Sequence, residues 1–251
     1  MIIDAFIFYN ELDLLELRLI ELYDVVDHFV IVQADKTFRG DEKPIYLDKS
    51  EPRWDRWRDK MEVYTALIPD RITNPWKREE YQRNCLEGCI GYLRPEPDTI
   101  VMVSDVDEIP RRREVNLYRH LELTAPMQFE MKMYYYALNV RQGSWTGLKM
   151  LRWKDFTIAE QIRHSEFETL PDAGWHFSYL GDDEFISNKI KSFSHSELDT
   201  PEVHASIAYN RSILQDPYNH YEQLVVEEMD DSWPEAVKQS PKKWSKYVWS
   251  Q

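Results

Sequence analysis

Ile100-Val101-Met102-Val103-Ser104-Asp105-Val106-Asp107-Glu108-Ile109-Pro110 is the stretch whose reading decides the fold. Its apolar run predicts a buried strand, and the acids stand where that strand runs out. In an open α/β sheet, ligands bind outside the carboxyl ends of the strands. Asp105 and Asp107 are two apart, so on an extended backbone they point the same way while Val106 points to the core. Two carboxylates about 4 Å apart repel by roughly 4 kcal/mol at an effective dielectric of about 20. A divalent cation would remove that conflict, and oxygen ligation suits Mn²⁺ or Mg²⁺.

Working outward, Ile2 to Tyr9 predicts a first strand ended by Asn10-Glu11. Leu12, Leu15, Leu19 and Leu22 recur at helical spacing, and His28 to Val32 resumes as a strand. This unit argues for an α/β protein with a parallel sheet. Met61 to Ile68 reads as another strand, and Trp76 to Cys89 as a helix with Cys85 and Cys89 on one face as buried thiols. After a division near 113/114, Gln128 to Val140 and Trp145 to Trp153 read as a pair of strands, expected to be antiparallel, joined by Arg141-Gln142-Gly143-Ser144. Residues 1–113 would form the nucleotide-sugar-binding half and 114–251 the acceptor side with C-terminal helices, in one continuous domain. Ala173 to Leu180 is a short strand, Asp182-Asp183-Glu184 opens a helix to about Phe193, and Pro201 to Leu214 is a further helix.

The chain has 251 residues, enough for a sizeable core, and 45 acidic against 31 basic residues give a formal net charge of -14. Such a surface repels nucleic acid and anionic membranes. No apolar run approaches the length of a membrane span. Met1-Ile2-Ile3-Asp4 opens a strand without a basic leader, so a soluble, cytoplasmic chain is expected. Neither Gly-x-Gly-x-x-Gly after the first strand nor a Gly-Lys-Ser/Thr triplet occurs, which argues against nicotinamide and P-loop chemistry.

Metal-bound carboxylates that neutralise a departing nucleoside diphosphate suit glycosyl transfer. His176 or His195 could complete the ligation, and the residues alone do not choose between them. A direct attack by a sugar hydroxyl needs a base, for which Asp182, Asp183 and Glu184 are the candidates, with Glu108 and Glu130 behind them. Arg39, Lys43, Arg83 and Lys191 are candidate counter-charges for a diphosphate. Tyr134, Tyr135, Tyr136, Trp145 and Trp175 could supply a sugar platform. A metal-dependent phosphatase or nucleotidyltransferase is the enzymatic alternative, and a non-catalytic carbohydrate-binding protein the other. Oligomeric state is open.

Several ordered segments resemble the β-1,4-mannosyl-glycoprotein N-acetylglucosaminyltransferase family, glycosyltransferase family 17. They are residues 4–19, Val26 to Val32, Thr37-Phe38-Arg39-Gly40 with Lys43-Pro44, Arg83-Asn84, Ser104 to Pro110, Gly174 to Ser178 and Lys191 to His195. The resemblance implies a GT-A-like nucleotide-diphospho-sugar transferase fold with a mixed, mostly parallel central sheet. It also implies a UDP-sugar donor, UDP-N-acetylglucosamine, and transfer to a glycan hydroxyl with inversion to a β linkage. By the same resemblance Asp105 and Asp107 would hold Mn²⁺ on the UDP diphosphate. Asn10, Glu11 and Asp35 would lie near the nucleotide, and Arg83 and Asn84 near its ribose or phosphates. Unlike the animal members, this chain shows no anchor and has two cysteines, so a glycan other than an N-glycan core is the expected acceptor.

Overall fold

The computed structural model describes residues 1–218, 223–230 and 232–250. Strand β1 (Ile2–Ile7), helix α1 (Leu12–Leu22) and strand β2 (His28–Ala34) form the expected strand, helix, strand unit. β1 lies between β2 and β4 (Ile100–Asp105) and is parallel to both, while β3 (Met61–Ala66) extends the parallel block beyond β2. On the other side β4 pairs antiparallel with β8 (Lys149–Arg152), and β8 with β6 (Met127–Tyr135). β6 is antiparallel to β7 (Val140–Trp145) and parallel to β9 (Glu168–Ser178). Short β5 (Glu108–Pro110) pairs with β9, and β10 (Val225–Val226) with β7. The resulting order, β10-β7-β6-β8-β4-β1-β2-β3, is a GT-A-like mixed sheet with a parallel central block, β4-β1-β2-β3, and it runs without interruption across residues 113/114.

Both faces of the parallel block are covered, which is why its strands read as near-continuous apolar runs. Ile3, Ala5, Val101 and Val103 face Leu86 and Ile90 of helix α2 (Pro75–Gly91) and Ile162 of α4 (Ala159–His164). Their strand neighbours Ile2, Phe6, Ile100 and Met102 face Leu15, Leu19 and Leu22 of α1. The opposite side of α1 is buried too, with Leu14 and Leu17 packed beneath Trp233 and Trp244 of the C-terminal segment. Cys85 is half-buried and Cys89 buried, both as free thiols, and burial pushes Cys89 up to about 12.

Three boundaries differ from the sequence reading. The strand begun at Met127 stops at Tyr135, because Tyr136 takes a left-handed φ of 66° and the chain turns. Arg141-Gln142-Gly143-Ser144, expected as a connector, lies inside β7. Its outward position leaves these residues only partly buried or exposed, so no apolar alternation marks the strand. β9 likewise begins five residues before Ala173, in an exposed polar stretch paired with β6.

One side chain ties α1, β1 and β4 to the acidic turn. Arg18 of α1 is 0% exposed and meets Asp4 of β1 through two bonds of 2.8 and 2.6 Å. Its Nη2 also donates to Ser104 Oγ at 2.7 Å, and its Nη1 to the carbonyls of Asp105 and Glu108, both at 2.8 Å. Its guanidinium lies 4.2 Å from the centre of the Phe6 ring. A planar five-donor group thus fixes the backbone that joins β4 to β5. Arg18→Ala strands a buried carboxylate and is expected to cost about 3–5 kcal/mol in urea unfolding, whereas the double change Arg18→Leu with Asp4→Leu should recover much of that loss.

Candidate active site

A cavity of about 700 Å³ opens at the carboxyl ends of β1, β2 and β4 and is closed on its far side by β6, β7, β9 and helix α5 (Asp183–Ser192). This is the position expected for a ligand in a sheet of this kind. β4 ends at Asp105, and Val106-Asp107 form a tight turn before β5. The extended backbone assumed from the two-residue spacing therefore does not reach Asp107, and the two carboxylates meet different partners.

Asp105 is gripped on both oxygens. Arg83 Nη1 donates to Oδ1 at 2.6 Å and Arg163 Nη2 to Oδ2 at 3.0 Å. Arg83, on α2, also binds Glu79 at 2.7 Å and Glu160 at 2.9 Å. Arg163, on α4, makes a forked contact of 2.6 and 2.7 Å with Glu108, which is fully buried. Glu108 in turn accepts the Asp105 N–H at 3.0 Å and the Trp145 Nε1–H at 2.5 Å. Gly147 is required here, since a Cβ would overlap the Glu108 carboxylate and the Trp145 ring. Burial alone would raise the Asp105 carboxyl, but Arg83 and Arg163 outweigh it and hold it below the usual range.

Asp107 faces the second half. Lys189 Nζ of α5 donates to its Oδ2 at 2.8 Å, and His176 Nε2 of β9 stands 3.5 Å from its Oδ1. Burial again works against ionisation, and Lys189 and His176 hold the Asp107 carboxyl well below the usual carboxylate range. Lys189 also lies 3.7 Å from Glu11, and its own ammonium is raised by these two acids despite burial. The like-charge conflict inferred from sequence is thus resolved by side-chain cations. Each Asp105 oxygen meets one arginine, and the side chain, 28% exposed, also lines the cavity. Among the described residues no three His, Cys, Asp or Glu side chains converge as an ion cage. Asp107 Oδ1 and His176 Nε2 are close enough to share one ion, with substrate oxygens completing its shell.

The other sequence candidates are dispersed. Glu11 lines the cavity and accepts the Asn10 N–H at 3.0 Å. Neither Asn10 nor Asp35 lines the cavity, and Asp35 accepts the Ile68 N–H at 2.9 Å. Asn84 accepts the Glu160 N–H at 3.0 Å and so holds the start of α4. Arg39 pairs with Asp199 at 3.5 Å and Lys191 is exposed, and neither lines the cavity. His195 reaches the rim, its ring 4.5 Å from that of Trp76, and bonds Glu197 at 2.7 Å. Asp182 caps α5 by accepting the Phe185 N–H at 2.8 Å, Asp183 pairs with Arg211 at 2.9 Å, and Glu184 is exposed. None of these three lines the cavity, because α5 turns its later residues, Lys189 and Ser192, toward it. Lys189 falls three and four residues after Ile186 and Phe185, on the buried stripe of the helix, and that spacing is a signal the sequence does carry. Arg163, in a short polar helix, had none.

A family model described as Glycosyltransferase family 17 matches residues 1–216. The β-1,4-mannosyl-glycoprotein 4-β-N-acetylglucosaminyltransferases of Rattus norvegicus and Homo sapiens are each 25% identical over 228 residues. These matches cover 76% of this chain but 42% and 43% of the two relatives, so the chain spans less than half their length. Among solved structures, the 4-diphosphocytidyl-2C-methyl-D-erythritol synthase of Anaerococcus prevotii aligns over 74% of this chain and 93% of its own, with 10% identity and a TM-score of 0.41.

The depressed carboxyls set an acid limit. A group whose folded-state value lies below its unfolded value of about 3.9 contributes fully above that value and loses its contribution as pH falls through the folded one. Stability in urea is therefore expected to fall below about pH 4, and Asp107→Asn should flatten that slope while leaving the neutral-pH unfolding cooperative.

Proposed function

Because the chain belongs to glycosyltransferase family 17, we propose that the cavity binds a UDP-sugar and transfers its sugar to a glycan hydroxyl with inversion. The observation that carries this reading is the Asp107, Lys189 and His176 cluster at the carboxyl ends of the parallel strands, inside a cavity large enough for a nucleotide sugar. The names of the relatives support N-acetylglucosamine as the sugar.

The residues divide the work as follows. The Arg83 and Arg163 network holds the Asp105 to Glu108 turn in one geometry, so that Asp107 faces the cavity without reorganising during the reaction. Lys189 sits where it can swing from Asp107 to a departing diphosphate oxygen. When bound by Asp107 and His176, Mn²⁺ or Mg²⁺ supplies further neutralisation of the charge that develops on UDP. Glu166 lines the same cavity, is exposed, and accepts one bond from Gln128 at 3.2 Å. It forms no ion pair among the described residues, so an oxygen is free to take the proton of the attacking hydroxyl. Trp145, 38% exposed with its ring 5.3 Å from that of His176, offers an apolar face to a sugar ring. No helix among the described residues is long and apolar enough to cross a membrane. Two free thiols suit the reducing cytoplasm as the site of action.

A panel of nucleotide sugars with Mn²⁺, scored for free nucleoside diphosphate with and without glycan acceptors, tests the reading. One UDP-sugar should be consumed with release of UDP, and release of inorganic pyrophosphate instead would overturn glycosyl transfer. Asp107→Asn is expected to lower kcat/KM by about 10²–10³-fold. Glu166→Gln should lower kcat by a factor on the order of 10² while UDP affinity is kept.

A further inference from the structure

We propose that Lys43 grips a phosphate oxyanion of the nucleoside diphosphate in this cavity, an assignment that rests on the donor reading above. Among the described residues every other lysine and arginine on the cavity wall is already engaged. Arg83, Arg163 and Lys189 are bound to carboxylates. Lys36 pairs with Asp70, and Lys149 donates to Gln128 Oε1 at 2.6 Å. Lys43 is different: its ammonium is withdrawn from solvent and has no hydrogen-bond partner. It is held only by ring faces, 5.2 Å from the centre of the Tyr9 ring and 5.4 Å from that of Tyr46. A cation kept in place by π faces has no N–H donor committed to an oxygen acceptor and can turn them to an incoming one. Left unmatched, a buried ammonium is costly, and a ligand oxyanion removes that cost.

The segment that presents Lys43 is built rather than loose. Lys43 N–H donates to the Asp35 carbonyl at 3.1 Å, and Gly40 turns the chain at a φ of +99°. Arg78 packs behind Gly40 and donates to the Phe38 carbonyl at 2.9 Å, while Phe38 N–H reaches the Ser192 carbonyl at 3.1 Å. Four carbons of stem let the ammonium swing from the Tyr9 and Tyr46 rings into the cavity without moving this loop. Burial pushes Lys43 down to about 8, against the partial opposition of Glu11 and Asp35. The remaining titratable groups facing it are the Tyr9 and Tyr46 phenols, and burial raises that of Tyr9.

Calorimetric titration of the whole chain with UDP and with uridine, at fixed Mg²⁺, tests the assignment. Lys43→Met should weaken UDP about 10- to 100-fold and uridine far less, with thermal unfolding unchanged or raised. Wild-type affinity for UDP should fall about fivefold between about pH 7.2 and about pH 8.8, while Lys43→Arg keeps the affinity and loses the pH dependence. Equal weakening of UDP and uridine, or no weakening of UDP, overturns the assignment and leaves the donor reading standing. A wild-type chain that binds no UDP overturns both.

Discussion

The buried Arg18 and Asp4 pair is the constraint on which the site depends. An arginine placed between a sheet and a helix must have all its donors met, since each unmet one carries a large desolvation cost. Here Asp4 takes two of the bonds, and Ser104 with the carbonyls of the acidic turn takes the rest. The same bonds that make Arg18 tolerable in the core therefore dictate the path of residues 105–108. α1, β1 and β4 are locked together at the point where the cavity begins.

From that turn the charges alternate outward. Asp105 points to Arg83 and Arg163, which point on to Glu79, Glu160 and Glu108. Asp107 points to Lys189, which leans toward Glu11. The two acids of one short motif thus have separate physical roles. Asp105 joins α2 and α4 to the strand end, each of its oxygens meeting one arginine. Asp107 stands at the cavity with one oxygen held by a flexible lysine, and that leaves it able to exchange partners when an anionic ligand arrives. Breaking the first arrangement would expose several uncompensated charges at once, whereas rearranging the second needs only one ammonium to move.

The C-terminal half supplies the opposite wall. β6 and β9 run in parallel and bring His176 and Ser178 beside the ends of β1 and β4, while α5 carries Lys189 across. Because β5 is hydrogen-bonded to β9, the acidic turn is held from both sides of the molecule. The site is consequently a property of the joined sheet rather than of residues 1–113 alone.

Much of the fold was legible in the chain. Apolar runs at Ile2, His28, Met61 and Ile100 and the leucine spacing of residues 12–22 specify parallel strands buried on both faces, because local periodicity and burial coincide there. The position of Asp105 and Asp107 at a strand end followed from the same run. β7 and the start of β9 were not legible, since outer polar strands draw their stability from pairing partners distant in sequence. The pairing of the two acids with Arg163 and Lys189 was also beyond reach, since these lie 58 and 82 residues away from Asp105 and Asp107 along the chain. Sequence alone determined where carboxylates would emerge from the core. Only the tertiary structure decided which cations meet them, because charge pairing depends on distances of a few ångströms that chain order does not encode.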